Sequence, residues 1–165
     1  MSEILPRLIL GVGNILLKDE GIGVHTARKL QTMDLPSDVE ILDGGTLGLS
    51  LLPYLEGRNR VILIDAIQAE GNPGDIYRFS PEGFAQFAGR TKFSFHQTSF
   101  FDVIQMAEHI IHHKPDVMVI AIQPKDISPG MELSPEIEAR IPALIRLVME
   151  ELNGGLNDVT RGEEA

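Results

Sequence analysis

The chain alternates between short apolar runs and longer stretches in which apolar residues recur at helical spacing. Continuous apolar runs predict buried strands, because a strand covered on both faces needs no polar alternation. Such runs occur at 7–13, 60–66 and 116–122. Shorter runs at 39–42 and 75–79 predict two further strands, and the second of these is a candidate edge strand.

Between the strands, the pattern predicts helices. One starts at Asp19, a short one covers 47–55, an amphipathic one starts near Gln97, and the last covers 136–152. Strands that alternate with helices favour a mostly parallel, twisted sheet with helices on both faces. The remaining stretches at 81–95 and 124–135 are predicted as loops, where specificity usually resides.

The length of 165 residues fits one domain with room for a sizeable core. We predict a single α/β domain over residues 1–152. Residues 153–165 are polar and rich in glycine, so they are predicted to form a flexible tail. No internal repeat or linker divides the sequence.

Charge and composition narrow the possible partners. A formal net charge of −10, without a basic stripe for a phosphate backbone, argues against nucleic acid as a partner. The absence of cysteine excludes disulfides, thiolate catalysis and cysteine-based zinc sites, and it fits a reducing compartment. The N-terminal apolar run has no basic segment before it and is too short for a signal peptide or a membrane span. We therefore expect a cytoplasmic protein without membrane association.

Three side chains at predicted strand ends and helix starts are candidates for a functional site: Glu20, Asp65 and His96. In open α/β sheets, ligands bind beyond the carboxyl ends of the strands. Glu20 follows the first strand and Asp65 ends the central one, so the topology places both at that edge. Two carboxylates and an imidazole would make an open site for a divalent metal, with coordination positions left for water or substrate.

Each of these residues also has a simpler structural explanation. Asp19 is expected to be the N-cap of the helix that follows, and Glu20 could equally be a first-turn acid that favours the helix dipole. Asp65 comes directly after a buried strand, so its carboxylate must be paired, hydrogen-bonded or metal-bound, and a structural salt bridge is an alternative. His96 taken alone is more often a cap or a surface residue than a ligand.

Other motifs in the chain are incomplete. The glycine turn at 11–16 begins like a dinucleotide fingerprint but has Leu16 where glycine or alanine is needed, so a nucleotide-binding module is only an alternative. We expect these glycines to let the chain turn, and Gly21 and Gly23 to let the helix approach the sheet closely. No complete serine-hydrolase elbow or His-Glu-x-x-His zinc motif occurs.

Four segments resemble the ordered signature of the hydrogenase maturation endopeptidases. They are GVGNILLKDEGIG at 11–23, DGGT at 43–46, IDA at 64–66 and SFHQ at 94–97. The resemblance covers nearly all of residues 8–150, and the four motifs in this order are specific although each alone is weak. It implies a single-domain α/β sandwich of three layers around a five-stranded sheet.

The resemblance also implies an activity, the removal of a C-terminal extension from the large-subunit precursor of a nickel–iron hydrogenase after nickel has been installed. By motif position, Glu20, Asp65 and His96 correspond to the family's metal-contacting residues, and we expect them to be the catalytic and metal-binding residues here. Nickel would be carried by the substrate rather than held as a permanent cofactor. The turn at 43–46 would shape the cleft or hold the precursor tail. The alternative is a non-catalytic, metal-dependent chaperone of the large subunit.

Overall fold

The computed structural model describes residues 3–83, 100–154 and 163–164. In these residues the strands are β1 (Arg7–Val12), β2 (Val39–Gly45), β3 (Arg60–Ala66), β4 (Ile76–Phe79), β5 (Asp116–Ile122) and β6 (Glu163–Glu164). The helices are α1 (Ile22–Leu30), α2 (Leu52–Leu55), α3 (Phe100–Ile110), α4 (Pro135–Glu138) and α5 (Ile141–Gly154), with 3₁₀ turns at Lys18–Gly21 and Gly48–Leu51. Every predicted strand is present, and every predicted helical stretch contains a helix.

The strands form one sheet in the order β2-β1-β3-β5-β4-β6. The first four strands in this order are parallel to one another, whereas β4 runs antiparallel to β5, and β6 runs antiparallel to β4. The register places Ile9 of β1 between Ile41 of β2 and Ile62 of β3. The mostly parallel sheet of five predicted strands is therefore confirmed.

The strand β6 covers the outer side of β4, the candidate edge strand, by pairing with Tyr77 and Arg78. Most of the predicted tail, residues 155–162 and 165, lies outside the described residues, so its flexibility stays a prediction. Among the helices of the described residues, none is both long enough and apolar enough to cross a lipid bilayer.

Alternating side chains of the central strands pack into two separate cores, one on each face of the sheet. Leu8, Leu10 and Leu63 face one side, where α2 and α3 cover them. Ile9 and Ile62 face the other side, where α1 and α5 cover them. Each of these side chains is almost completely buried, which stabilises the fold by roughly 1.5–3 kcal/mol per residue. The three predicted layers of helix, sheet and helix are thereby confirmed.

The last helical stretch differs from the single helix predicted over 136–152. The structure ends α4 at Glu138 and begins α5 at Ile141. Pro142 explains the break, because in a continuous helix it could not donate to the carbonyl of Glu138 and its ring would crowd that group. In the first turn of a new helix the missing N–H has no cost, since it would have no intrahelical partner there. The prediction of one unbroken helix is wrong.

The glycine at position 23 allows α1 to lie directly against the ends of two strands. A Cβ added to Gly23 would stand 2.2 Å from the carbonyl oxygen of Ile64 and 2.4 Å from that of Val12. The close approach predicted for Gly23 is therefore confirmed. Gly21 serves a different contact, because its Cβ would meet the Cα atom of Ile15 at 2.8 Å in the loop before the helix. Together these contacts bring that loop onto the edge of the sheet between β1 and β3.

Candidate functional site

The candidate site lies where the chain changes direction across the sheet. From β1 the chain crosses to β2 on one side, and from β2 it returns past β1 to β3 on the other. The loops after β1 and β3 therefore part, which leaves a crevice beyond the carboxyl ends of these strands, the usual ligand position in open α/β sheets. Glu20 comes from the loop after β1, and Asp65 lies at the end of β3. The structure places both carboxylates at this crevice, while their catalytic role stays a prediction.

Glu20 is buried in the turn Lys18–Gly21, with 9% of its surface exposed. Its Oε2 atom is buried and has no hydrogen-bond partner among the residues that the structure describes. The turn lies against the end of β1 because Gly13 has no side chain: a Cβ there would stand 2.0 Å from the carbonyl oxygen of Glu20, and its φ is +139°. A buried carboxylate oxygen without a donor is costly for the fold, and it has the chemistry that attracts a cation.

Asp65 ends β3 and is 8% exposed. Its Oδ1 atom accepts a hydrogen bond from the backbone N–H of Ala66 at 2.8 Å. Burial raises the pKa of this carboxyl well above its usual range, the Ala66 N–H opposes the rise, and the Glu20 carboxylate adds to it. The structure therefore brings Asp65 and Glu20 close enough for their negative charges to repel each other.

No basic side chain neutralises this acidic pair within residues 3–83 and 100–154, since the ion pairs found there do not include Glu20 or Asp65. The structural salt bridge considered for Asp65 is thus not formed among these residues. Two adjacent buried carboxylates without a counter-ion among the described residues suit two kinds of chemistry. They can bind a cation, or Asp65, whose pKa is raised by burial, can take up a proton from a reacting group.

His96, the third predicted residue of the site, lies outside the described residues. Within the described part of the chain, no three His, Asp or Glu side chains converge to hold a metal ion. Alternation along β3 directs Asp65 to the face of Val61 and Leu63, which is the face that α3 covers. That helix begins at Phe100, four residues after His96 in the sequence. The participation of His96 stays a prediction.

Asp43 lies near the end of β2 and shapes the turn that follows. Its Oδ1 atom accepts a hydrogen bond from the N–H of Gly45 at 3.1 Å, and its Oδ2 atom pairs with Nη2 of Arg28 at 3.0 Å. The carbonyl of Gly45 accepts a hydrogen bond from the N–H of Gly13 at 2.9 Å, which ties this turn to the loop that carries Glu20. Of the two roles considered for 43–46, these bonds support the shaping of the cleft.

Asp19 has a different role from the one predicted. Neither the turn Lys18–Gly21 nor α1 has a side-chain cap, so the N-cap assigned to Asp19 is wrong. The residue is instead fully buried. Its Oδ2 atom accepts hydrogen bonds from the N–H of Lys125 at 3.0 Å, the N–H of Asp126 at 2.9 Å and the hydroxyl of Ser134 at 2.8 Å. Its Oδ1 atom accepts one from the N–H of Ser134 at 2.7 Å.

Gln123 is a further residue at this edge that the sequence analysis missed. It follows β5 directly and is 6% exposed. Its Oε1 atom accepts a hydrogen bond from the N–H of Ala69 at 2.8 Å, and its Nε2 donates to Oε1 of Gln68 at 2.9 Å. These bonds hold the loop that follows Asp65. A signal was present in the sequence, because a polar residue directly after a buried strand needs a partner for the same reason as Asp65.

Fold and site together define an open α/β protein with an acidic crevice, a candidate ligand site, where the strand order reverses. The family model for hydrogenase maturation protease matches residues 24–151. A relative from Rhodobacter capsulatus, the hydrogenase expression/formation protein HupD, is 36% identical over 157 residues, which cover 94% of this chain and 75% of that protein. The chain therefore belongs to the hydrogenase maturation protease family and is a peptidase.

Solved structures support the same assignment. Hydrogenase maturating endopeptidase HybD from Escherichia coli matches with a TM-score of 0.80 at 33% identity, covering 91% of this chain and 93% of that one. The NiFe hydrogenase maturation protease HybD from Thermococcus kodakarensis matches with a TM-score of 0.74 at 28% identity, covering 87% of this chain and 97% of that one. These matches favour peptide-bond hydrolysis over the nucleotide-binding alternative.

Proposed function

We propose that this peptidase removes the C-terminal extension from the nickel-loaded precursor of a nickel–iron hydrogenase large subunit. The observation that carries the proposal is the buried Oε2 atom of Glu20, which has no partner in residues 3–83 and 100–154, beside the buried carboxyl of Asp65. Such a pair attracts a cation, and in the proposed reaction the cation is the nickel that the precursor already holds. The name of the Thermococcus relative, a NiFe hydrogenase maturation protease, supports this class of substrate.

In the proposed mechanism, Glu20, Asp65 and His96 recognise the metal of the substrate rather than keep it. The nickel stays bound to the precursor and docks against these side chains, whose carboxylate and imidazole groups are suitable donors for it. Docking orients the scissile peptide bond in the crevice. The metal would then polarise the scissile carbonyl or a bound water. Alternatively, Asp65 accepts a proton from the attacking water as a general base, for which a raised pKa is favourable.

Incubation of the purified protein with purified nickel-loaded precursor tests this function. Intact-mass measurement should show a shortened precursor together with the released peptide. A stable complex in which the mass of the precursor does not change would instead support the non-catalytic chaperone. Because the chain contains no cysteine, we propose a reducing cytoplasm as the place of action, and the assay should be run under reducing conditions.

Precursor that lacks nickel is expected to remain uncut. Without the metal it offers no opposite charge to Glu20 and Asp65, so its scissile bond is not held in the crevice. The cleavage rate in an intact-mass time course should fall on the order of a hundredfold or more, as it does when one electrostatic contact to a reacting group is removed. The same precursor reloaded with nickel is the control. Cleavage of metal-free precursor at the normal rate would favour an ordinary protease.

Two loops beside Glu20 form a joined surface, here called the rim, which consists of residues 14–18 and 124–134. The N–H of Lys18 donates to the carbonyl of Gly130 at 2.9 Å, and the N–H of Gly130 donates to the carbonyl of Leu16 at 2.8 Å. Leu16 and Met131 are 57% and 64% exposed although both are large and apolar. Apolar side chains on a backbone that is held in place suit a protein contact, and we propose that the rim docks the precursor.

Replacing Leu16 and Met131 together by glutamine is expected to raise the KM for the precursor about tenfold, with kcat within about twofold of its original value. The double variant removes apolar contact area but leaves Glu20 and Asp65 in place. Initial rates over a range of precursor concentrations give both constants. Ile4→Gln is the matched control, because Ile4 is 55% exposed but precedes β1 at the opposite edge of the sheet. An unchanged KM in the double variant, or an equal rise in the control, would show that the rim does not dock the precursor.

A further inference from the structure

The two adjacent acids in the turn Lys18–Gly21 have opposite surroundings. The carboxylate of Asp19 accepts four hydrogen bonds, whereas the Oε2 atom of Glu20 has no partner in the described part of the chain. Charge-assisted bonds from several N–H groups make a favourable environment for a buried carboxylate, and the lack of any donor makes an unfavourable one. The bonds of Asp19 therefore offset the cost of holding Glu20 in its buried position.

The four donors to Asp19 all belong to the rim. Lys125 and Asp126 donate from the beginning of the segment 124–134, and Ser134 donates from its end. One carboxylate thus fastens both ends of this loop. The N–H of Asp19 also donates to the carbonyl of Asp126 at 3.0 Å, which makes the link between the two residues reciprocal. The turn that carries Glu20 and the loop that carries Met131 are held as one unit.

A second link joins the same two segments from the outside. The Nζ atom of Lys18 lies 2.8 Å from Oδ2 of Asp126, and the two side chains are 34% and 40% exposed. Solvent screens an ion pair of this exposure, and such pairs add little to stability. The buried carboxylate of Asp19 is therefore the main clamp. Asp38, whose two side-chain oxygens accept hydrogen bonds from Arg7 at the opposite edge of the sheet, provides a control for it.

We propose that Asp19 is a positioning residue for the peptidase reaction, which fixes Glu20 relative to the rim. The inference rests on the proposed function, in which a precursor docked on the rim presents its metal to Glu20. Asp19 acts through Glu20, because its own oxygens are occupied by backbone and hydroxyl donors and are not free to bind a metal. Without the clamp, the turn can relax toward water, where the carboxylate of Glu20 is hydrated, and the geometry needed for reaction is lost.

Single-turnover cleavage of nickel-loaded precursor by Asp19→Asn, Ser134→Ala and Asp38→Asn tests the proposal. Asp19→Asn keeps the shape of the side chain but presents an amide group to N–H donors. We expect it to lower the maximal rate about tenfold or more, with the half-saturating concentration within about threefold of its original value. Ser134→Ala removes one donor and should lower the maximal rate about threefold. Asp38→Asn, at the opposite edge of the sheet, should leave both constants within about twofold. Urea unfolding of each variant establishes that it is folded under the assay conditions.

Each result of this experiment supports or overturns the proposal. A maximal rate of Asp19→Asn near that of the unsubstituted protein overturns it, and so does an equal loss in Asp38→Asn. A loss confined to the half-saturating concentration also overturns it, because Asp19 would then serve docking alone. If Asp19→Asn does not fold, Ser134→Ala becomes the test. An unchanged maximal rate in Ser134→Ala then rejects the proposal. If the unsubstituted protein fails to cut nickel-loaded precursor, the proposed function falls, and this inference falls with it.

Discussion

Glu20→Gln is expected to abolish removal of the C-terminal extension while leaving the fold intact. Glutamine has nearly the same shape, but its neutral amide cannot offset the charge of a cation in a crevice where Glu20 has no basic partner among the described residues. We expect the cleavage rate to fall about a thousandfold or more, measured by intact mass over time with nickel-loaded precursor. The free energy of unfolding should stay within about 1 kcal/mol of its original value, because no favourable hydrogen bond of Oε2 is lost.

Glu108→Gln is the matched control for this variant, since Glu108 is an exposed glutamate on α3. It should cleave the precursor at a rate within about twofold of the original. His96→Ala is expected to give the same loss as Glu20→Gln, because the resemblance places it in the same metal-contacting set. Normal cleavage by Glu20→Gln would end the assignment of the site.

Asp65→Asn is expected to lose cleavage and, at the same time, to make the protein more stable. Burial raises the pKa of Asp65 in the folded state. Between the ordinary pKa and the raised pKa, the folded chain therefore holds a proton that the unfolded chain has already released. Stability therefore falls as the pH rises from about 4 toward the raised pKa, and the full penalty remains at higher pH. Asparagine removes this penalty and can still accept the hydrogen bond from Ala66.

Urea unfolding from about pH 4 to pH 8 measures this effect. The advantage of Asp65→Asn over the original protein should grow with pH and reach on the order of 1 kcal/mol, a rise of about 2–4 °C in Tm. Asp38→Asn should behave in the opposite sense, because the hydrogen bond from Arg7 lowers the pKa of Asp38 and its contribution is lost as the pH falls. A stability difference for Asp65→Asn that does not change with pH would contradict the account of its buried charge.

The strands and the position of the acidic residues at their ends could be predicted from the sequence because both follow from local patterns. The run at 60–66 identifies a central strand by its apolar character alone, and the carboxylate that ends it is conspicuous for that reason. The prediction for Asp19 failed because the partners of its side chain are distant in the sequence. The N-cap assignment of Asp19 was reasonable from its neighbours, yet its partners lie 106 to 115 residues further along the chain. A single sequence carries no signal for such a contact.

The break between α4 and α5 is a failure of a different kind. Pro142 was visible in the sequence, and its effect on the carbonyl four residues earlier is a local one. The apolar periodicity on both sides of the break continued across it, so the pattern alone favoured one helix. The unpaired state of Glu20 was not predictable either, because it depends on which side chains the folded chain does not bring near the carboxylate.

The two unneutralised carboxylates have a consequence for the timing of hydrogenase assembly. In the proposed function, only a nickel-loaded precursor brings a positive charge that relieves the repulsion between Glu20 and Asp65. Each 1.4 kcal/mol of that relief favours the loaded form tenfold. In this proposal the repulsion between Glu20 and Asp65 discriminates against the metal-free precursor without a conformational change. The irreversible cleavage therefore follows metal insertion.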